Sequence, residues 1–416
     1  MTSDKKSDDP TINAVSAPSH HDDVPDPGVD SRESGWLAWL QVVGAFCVYL
    51  NTWGMLNSFG VFQTYYELSR LSSQSAFTIS WIGSTQSALF FVTSLIVGRL
   101  FDLGYFRSLL WAGTALLVIS MFLLSVTSQF YQVLLTQSVL FGLGAGCVFL
   151  PAPAVVAHIA SVGSAIGGII YPTIFTYTLS SVGFGWATRV IAFVVLGTSF
   201  FIIPMKSKTK PTASRSLIDW TAFTDLPYML LNLGLVIGFM GLYVVTTYFQ
   251  LYALSRMNVT TNVSDNLLVI INAGSLVGRV ILGYFADMIG SINMQTAMAL
   301  VATILAFSLL AVHTSAAIIA VAVLFGISSG TFLGLPVASI VRLSDDPSKI
   351  GTRIGMTLLF VGIGALISYP IAGAILGDSD NWLGLILFSG VLLATSTIIL
   401  AICRITKLGR QWTKPL

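Results

Sequence analysis

Of 416 residues, 55% are hydrophobic and only 9% carry charge, and the mean hydropathy is +0.83; no water-soluble domain has use for that much apolar side chain. A net charge of +2 gives no reason for a nucleic-acid partner, and Cys47, Cys147 and Cys403 lie in or beside apolar stretches without metal-ligand spacing, so neither a disulfide framework nor a metal centre is indicated. No nucleophile, base and orienting residue come together at recognisable spacing, so the chain is not read as an enzyme and no cofactor is expected.

Residues 1–34 are a different material, with eight acidic residues from Asp4 to Glu33, several prolines and almost nothing apolar. They are expected to form a disordered cytoplasmic tail, and they lack the basic start and apolar middle of a cleaved signal peptide. Apolar runs then predict spans at 37–60, 77–98, 108–127, 131–155, 162–182 and 185–204. A polar linker, 205–226, carries Lys206, Lys208, Lys210, Arg215, Asp219 and Asp225. Six more spans follow at 227–252, 266–286, 293–312, 315–340, 354–377 and 383–403, and 405–416 form a second tail. A span needs about 20 apolar residues, so the prediction is an all-α integral membrane protein of about twelve transmembrane helices. They form two six-helix pseudo-repeats, 35–204 and 227–404, and the bilayer is the first partner.

Basic residues concentrate on the side that holds both tails and the linker, leaving Arg70, Arg189 and Arg256 on the other. Both termini are therefore expected to be cytoplasmic, in a multi-pass protein of the plasma membrane. Two glycosylation tripeptides, beginning at Asn258 and Asn262, fall on the loop assigned outside.

The halves also resemble each other. Gly98-Arg99-Leu100-Phe101-Asp102-Leu103-Gly104 closes the second span and Gly283-Tyr284-Phe285-Ala286-Asp287 the eighth, each with a glycine four residues before an aspartate. Glycine permits close helix approach, and a carboxylate at the rim can bridge the gap between bundles. Gly98, Arg99, Asp102, Gly104, Gly283 and Asp287 are thus candidates for a conformational gate; a packing notch beside a solvated loop charge is the alternative.

These residues, with the segment Gly35-Trp36-Leu37-Ala38-Trp39, the stretch Gly142-Leu143-Gly144-Ala145-Gly146 and the run Gly183-Phe184-Gly185-Trp186-Ala187-Thr188-Arg189, resemble the major facilitator superfamily, specifically its fungal monocarboxylate-transporter-like branch. The resemblance covers Gly35 to about Arg404 and implies alternating access by two rocking halves in a monomer. It departs from the family between spans four and five, where Pro153 to Pro172 is about fifteen residues shorter than its internal counterpart Pro336 to Pro370 and lacks the family's basic pair. His158 to Gly163 would then have to make the whole turn.

An ionisable group at membrane depth costs roughly 2.5–3.5 kcal/mol even on a lenient scale and is seldom kept without a use. Arg279 is the clear case, eight residues before Asp287 in span eight. The resemblance implies that an arginine at this offset anchors a substrate carboxylate, which suits the bidentate geometry of guanidinium; the family's carboxylate partner is replaced here by Ser275, and span one offers no lysine. A structural arginine bonded to neighbouring carbonyls is the alternative. Asn51, Asn57, Gln86, Tyr243, Tyr248, Asn272 and Tyr369 complete the candidate substrate-binding set, each being individually explicable as interhelical packing. His158 and His313 are not placed like proton relays.

The sequence thus predicts a secondary or facilitative carrier of a small organic compound, a monocarboxylate or other organic anion, with or without a co-transported proton. Efflux of a fungal secondary metabolite, or a truncated protein that does not transport, are the alternatives. No phosphate-binding motif ends in Gly-Lys-Ser or Gly-Lys-Thr, so ATP drive is not expected.

Overall fold

The computed structural model describes residues 35–149, 157–205, 218–257, 259–344, 346, 349–377 and 380–408, and every long element among them is a helix. Apolar runs of this length leave the backbone no other choice in lipid, where each N–H and C=O must be paired within its own segment. Ten helical stretches are long and apolar enough to cross a membrane. One of them, Ser161–Ile202, is really two helices, and the first helix of the chain adds another, which makes twelve.

The first helix, α1, runs over 35–70 and is interrupted by widened turns at Leu50–Gly54 and Tyr66–Arg70. Ala76–Asp102 is α2, Phe106–Leu124 α3 and 130–149 α4. Residues 157–182 form α5 and 184–202 form α6, separated by Gly183, whose φ of 81° only glycine adopts without strain and which reverses the chain. After a short 3-10 turn at Trp220–Thr224 come α7 (Leu226–Met257), α8 (261–289), α9 (Ser291–Ser308), α10 (315–334, extended beyond a break by Pro336–Leu343), α11 (Ile350–Leu376) and α12 (Trp382–Leu408). Among the described residues a helix covers each of the twelve predicted spans, that at 131–155 as far as 149. The largest difference is α1, which continues ten residues past its predicted end as a helix that is buried through Thr64 and again at Tyr66.

The expected turn at 158–163 is not one: these residues are already helical, so the α4 to α5 connection falls on 150–156, outside the described residues. Helix α5 starts early because its small residues seat it against α1. A side chain on Gly54 would reach 2.7 Å from the Gly167 backbone, and one on Gly163 would meet the Phe46 carbonyl; bulk at either point would separate the pair.

The two halves meet along α2 and α11 over their full length, from Ala76 against Gly373 through Phe91 against Gly362 to Leu95 against Gly355. They meet again between α5 and α8, where Gly168 faces the Asn272 amide. A two-fold exchange of the halves carries the first contact into the second. Large apolar side chains such as Trp111, Phe200, Leu383 and Ile398 remain exposed around the outside, the expected surface for lipid.

Candidate transport site

Between the halves lies a small cavity lined by Leu56, Asn57 and Gly60 of α1, Leu242, Tyr243, Thr246 and Thr247 of α7, Ile271, Asn272 and Ser275 of α8, Ser329 and Leu333 of α10, and Tyr369 of α11. Its free volume is about 20 Å³, enough for a water molecule but not for a metabolite.

Four of the predicted substrate residues, Asn57, Tyr243, Asn272 and Tyr369, line this space. The Tyr243 and Tyr369 rings stack with centroids 5.9 Å apart, and Phe59 meets Tyr369 edge-on at 6.1 Å. Beyond Tyr243 the aromatic lining continues through Phe239, at 5.7 Å, to Trp53, at 6.5 Å. The Tyr369 hydroxyl bonds Thr247 and Ser87, whereas the buried Tyr243 hydroxyl and Trp53 Nε1 have no partner among the described residues.

Arg279 stands one helical turn beyond the cavity, 7% exposed. Its Nε donates to Ser275 Oγ at 3.2 Å, its Nη2 is buried and unpartnered, and Tyr49 and Tyr243 are the ionisable groups that act on it. It has no carboxylate partner among the described residues. The side chain that the sequence places where a carboxylate is expected, Ser275, therefore does face the guanidinium, but it leaves the positive charge uncompensated.

The structure takes three predicted residues elsewhere. Asn51 is consumed within the first half, donating Nδ2–H to Thr198 Oγ1 at 2.8 Å and accepting from the Tyr171 hydroxyl at 2.6 Å, which ties α1 to α5 and α6. Tyr248 lines a separate small space between α7 and α12 with Trp382 and Leu385. Gln86 is buried on α2 with both amide atoms unpartnered and does not line the cavity.

The gate residues behave differently from one another. Gly104, at φ 95°, takes the left-handed turn that follows α2, a conformation that favours glycine. Gly283 is not a packing notch: a side chain there would meet nothing within 4 Å, while the close approach of α8 to α10 is made further up, at Gly278 against the Ile327 carbonyl. Asp287 contributes its backbone, not its carboxylate, accepting from Arg342 Nη2 at 3.2 Å. Gly98 and Asp102 are half-buried and Arg99 is exposed, with no ion pair of Asp102 among the described residues.

The polar cluster at this end is one that sequence reasoning did not pair. Arg353 of α11 donates to Asp219 Oδ2 at 3.2 Å and to Asp225 Oδ2 at 2.8 Å, lies 5.0 Å over the Tyr228 ring, and accepts the Tyr228 hydroxyl on its carbonyl at 2.8 Å. Lys349 adds a contact to Asp219 at 3.6 Å. The linker is thereby fastened to the base of α7 and α11. On the opposite face Asn258 lies outside the described residues; Asn262 is exposed, but the Ser264 of its tripeptide is wholly buried in α8.

Comparison with known proteins agrees with this geometry. The bacterial homologue of the human drug peptide transporters PepT1 and PepT2 shares the fold, with a TM-score of 0.65 over 88% of this chain and 97% of that one at 14% identity. MFS-type transporter dbaD of Emericella nidulans is 40% identical over 382 positions, 88% of this chain and 86% of its own length. The Aspyridones efflux protein apdF of the same organism is 33% identical over 87% of this chain and 76% of its own. MFS-type transporter pynF of Aspergillus niger is 34% identical over 99% of this chain and all of its own; that alignment runs over 436 positions, more than the 416 residues here, so the relative has residues that this chain skips. The family profile of the Major Facilitator Superfamily matches residues 42–316, and the chain belongs to that superfamily of transporters.

Proposed function

We propose that this transporter exports a fungal secondary metabolite that combines an apolar or aromatic body with one acidic group, by alternating access between the two halves. The observation that carries the reading is the uncompensated Arg279 guanidinium one turn from a cavity walled by Tyr243 and Tyr369, the latter packed edge-on by Phe59. A buried charge without a partner is costly, and an anionic substrate group supplies what Ser275 cannot. The aromatic walls offer stacking surface to the remainder of the molecule. The relative named for aspyridones efflux supports the outward direction. In this reading the linker end is cytoplasmic, the protein works as a monomer in the plasma membrane, and the gate region 98–104 and 283–287 moves with the rocking halves.

A second reading, uptake of a short monocarboxylate, is favoured by the same arginine and by the resemblance to monocarboxylate carriers. Transport separates the two. Yeast expressing the chain is loaded with aspyridones or with labelled lactate, and release and uptake are followed. Export of aspyridones that falls about ten- to hundredfold in Arg279→Ala, the equivalent of one charge-assisted hydrogen bond of about 1.5–3 kcal/mol, supports the first reading. Lactate uptake with the same dependence supports the second. Transport indifferent to Arg279→Ala would remove the anion site from both.

A further inference from the structure

At the end of the bundle away from the linker, α1 crosses α7 where Gly60 abuts the Thr246 and Thr247 carbonyls. Just beyond the crossing are two carboxylates, each held by a buried glutamine. Gln63, wholly buried, donates Nε2–H to Glu67 Oε1 at 2.5 Å, and its own Oε1 has no partner. Gln250, 5% exposed, donates to Asp265 Oδ1 at 3.3 Å, and its Oε1 is likewise unpartnered. Helices α1 and α7 open the two repeats, and among the described residues each half holds one such pair, within α1 in the first and between α7 and α8 in the second.

The groups around Glu67 do not neutralise it. On its own helix Arg70 is turned onto the Phe184 ring, 4.3 Å away, and the Tyr66 hydroxyl is given to Gln137 at 2.5 Å. Tyr65 stacks on Phe184. From α7 the facing titratable group is Tyr248, and from the turn before α12 it is Asp380, a like charge. Around Asp265 the facing group is Gln250, with Arg256 further along α7 beside Tyr252.

An amide beside an ionised carboxylate satisfies only its N–H, and its oxygen is left buried next to negative charge with nothing to accept. A protonated acid satisfies both ends, since its C=O accepts from Nε2–H while its O–H donates to the amide Oε1. We propose that Glu67 with Gln63, and Asp265 with Gln250, each bind one proton while this end of the path is closed, and that releasing the protons to the water at this face opens it. Ionised Glu67 then repels Asp380 and loses half its match to Gln63, which loosens the α1–α7 crossing. That such a site couples transport to a proton gradient rests on the carrier reading above; the protonation and the opening do not.

The test uses the full chain in lipid nanodiscs. Thr246→Cys places a thiol on the cavity beneath the crossing, and its labelling by a bulky hydrophilic maleimide is measured against the parent chain and normalised at each pH to labelling of the unfolded protein. Normalised labelling is expected to rise several-fold as pH is raised, and to stay low at all pH when Glu67→Gln and Asp265→Asn are added, because carboxamides keep both hydrogen bonds. Infrared difference spectra of the parent are expected to show a protonated-carboxyl band that titrates over the same range and is diminished in Glu67→Gln. Labelling that does not depend on pH, an unchanged pH dependence in the double carboxamide, or a parent with no titrating carboxyl band would each overturn the proposal. Export is not among the readouts, so failure of the carrier reading would leave these results standing.

Discussion

Replacing Arg353 by methionine keeps most of the side chain's apolar bulk and removes its guanidinium. The change takes one hydrogen bond from Asp219 at 3.2 Å, another from Asp225 at 2.8 Å, and the cation from above Tyr228. Asp225 is 26% exposed and can rehydrate, whereas Asp219 is 6% exposed and keeps only Lys349, at 3.6 Å, as a cation. Stranding one member of a buried pair costs about 3–5 kcal/mol; because Lys349 remains and the cluster lies at the rim of the bundle, about 3 kcal/mol is expected. Unfolding of the purified protein by sodium dodecyl sulfate in mixed micelles reads this directly, and a cycle with Asp219→Asn should give a coupling energy of about 1–3 kcal/mol. Arg342→Ala, which removes an exposed bond to the Asp287 carbonyl, is the control and should stay within about 0.5 kcal/mol of the parent. A loss below about 0.5 kcal/mol for Arg353→Met, without coupling to Asp219, would show a hydrated surface pair and refute the reasoning. Acid gives a second reading of the same cluster. Burial alone would raise the Asp219 carboxyl, but the Thr221 hydroxyl, Arg353, the Thr221 N–H and Lys349 together hold it below the usual aspartate range. Its contribution is therefore fully present above the unfolded value, about 3.9, and is lost as pH falls through the depressed native value. Asp219→Asn should remove that part of the acid sensitivity.

Two further outcomes follow from packing. Gly54→Leu drives a side chain into the Gly167 backbone and should cost at least about 1–3 kcal/mol by the same unfolding assay, while Gly283→Leu, which meets nothing, should be nearly neutral. Asn51→Leu strands the Tyr171 hydroxyl, while the Thr198 hydroxyl keeps the Val194 carbonyl, and should cost about 1–3 kcal/mol, yet leave the KM for an exported compound unchanged. A raised KM would return Asn51 to the binding site.

The helices were legible because in lipid an apolar run of sufficient length has one outcome, and polar breaks such as 205–226 stand out against it. Arg279 was legible for the same reason, as a charge where charge is expensive. Residues that needed three dimensions were not. Asn51 and Asn57 are six positions apart on one helix and look alike in sequence, but only the fold shows that Thr198 and Tyr171 consume the first while the second faces the cavity. Glu67 was passed over because the apolar pattern ends near residue 60, and a glutamine four residues earlier says nothing until both are seen on a helix that continues to 70. Asp219, Asp225 and Arg353 were each visible as loop charges, but their pairing spans more than a hundred residues of chain.

The two halves differ in the contacts that the described residues make at the linker end. In the second half α10 continues beyond Pro336 to Leu343, and Arg342 on that extension holds the end of α8 through the Asp287 carbonyl. In the first half the described part of α4 stops at 149 and α5 begins at 157, and the stretch between them lies outside the described residues. Neither Asp102 nor its counterpart Asp287 has an ion pair through its carboxylate among the described residues. The halves are thus alike in their spans and unlike in their clasps. The Asp219–Arg353–Asp225 cluster lies wholly within the linker and the second half, where it ties the linker to the base of α7 and α11. Weakening it should therefore lower stability in the same unfolding assay, and no change at Asp102 should do so.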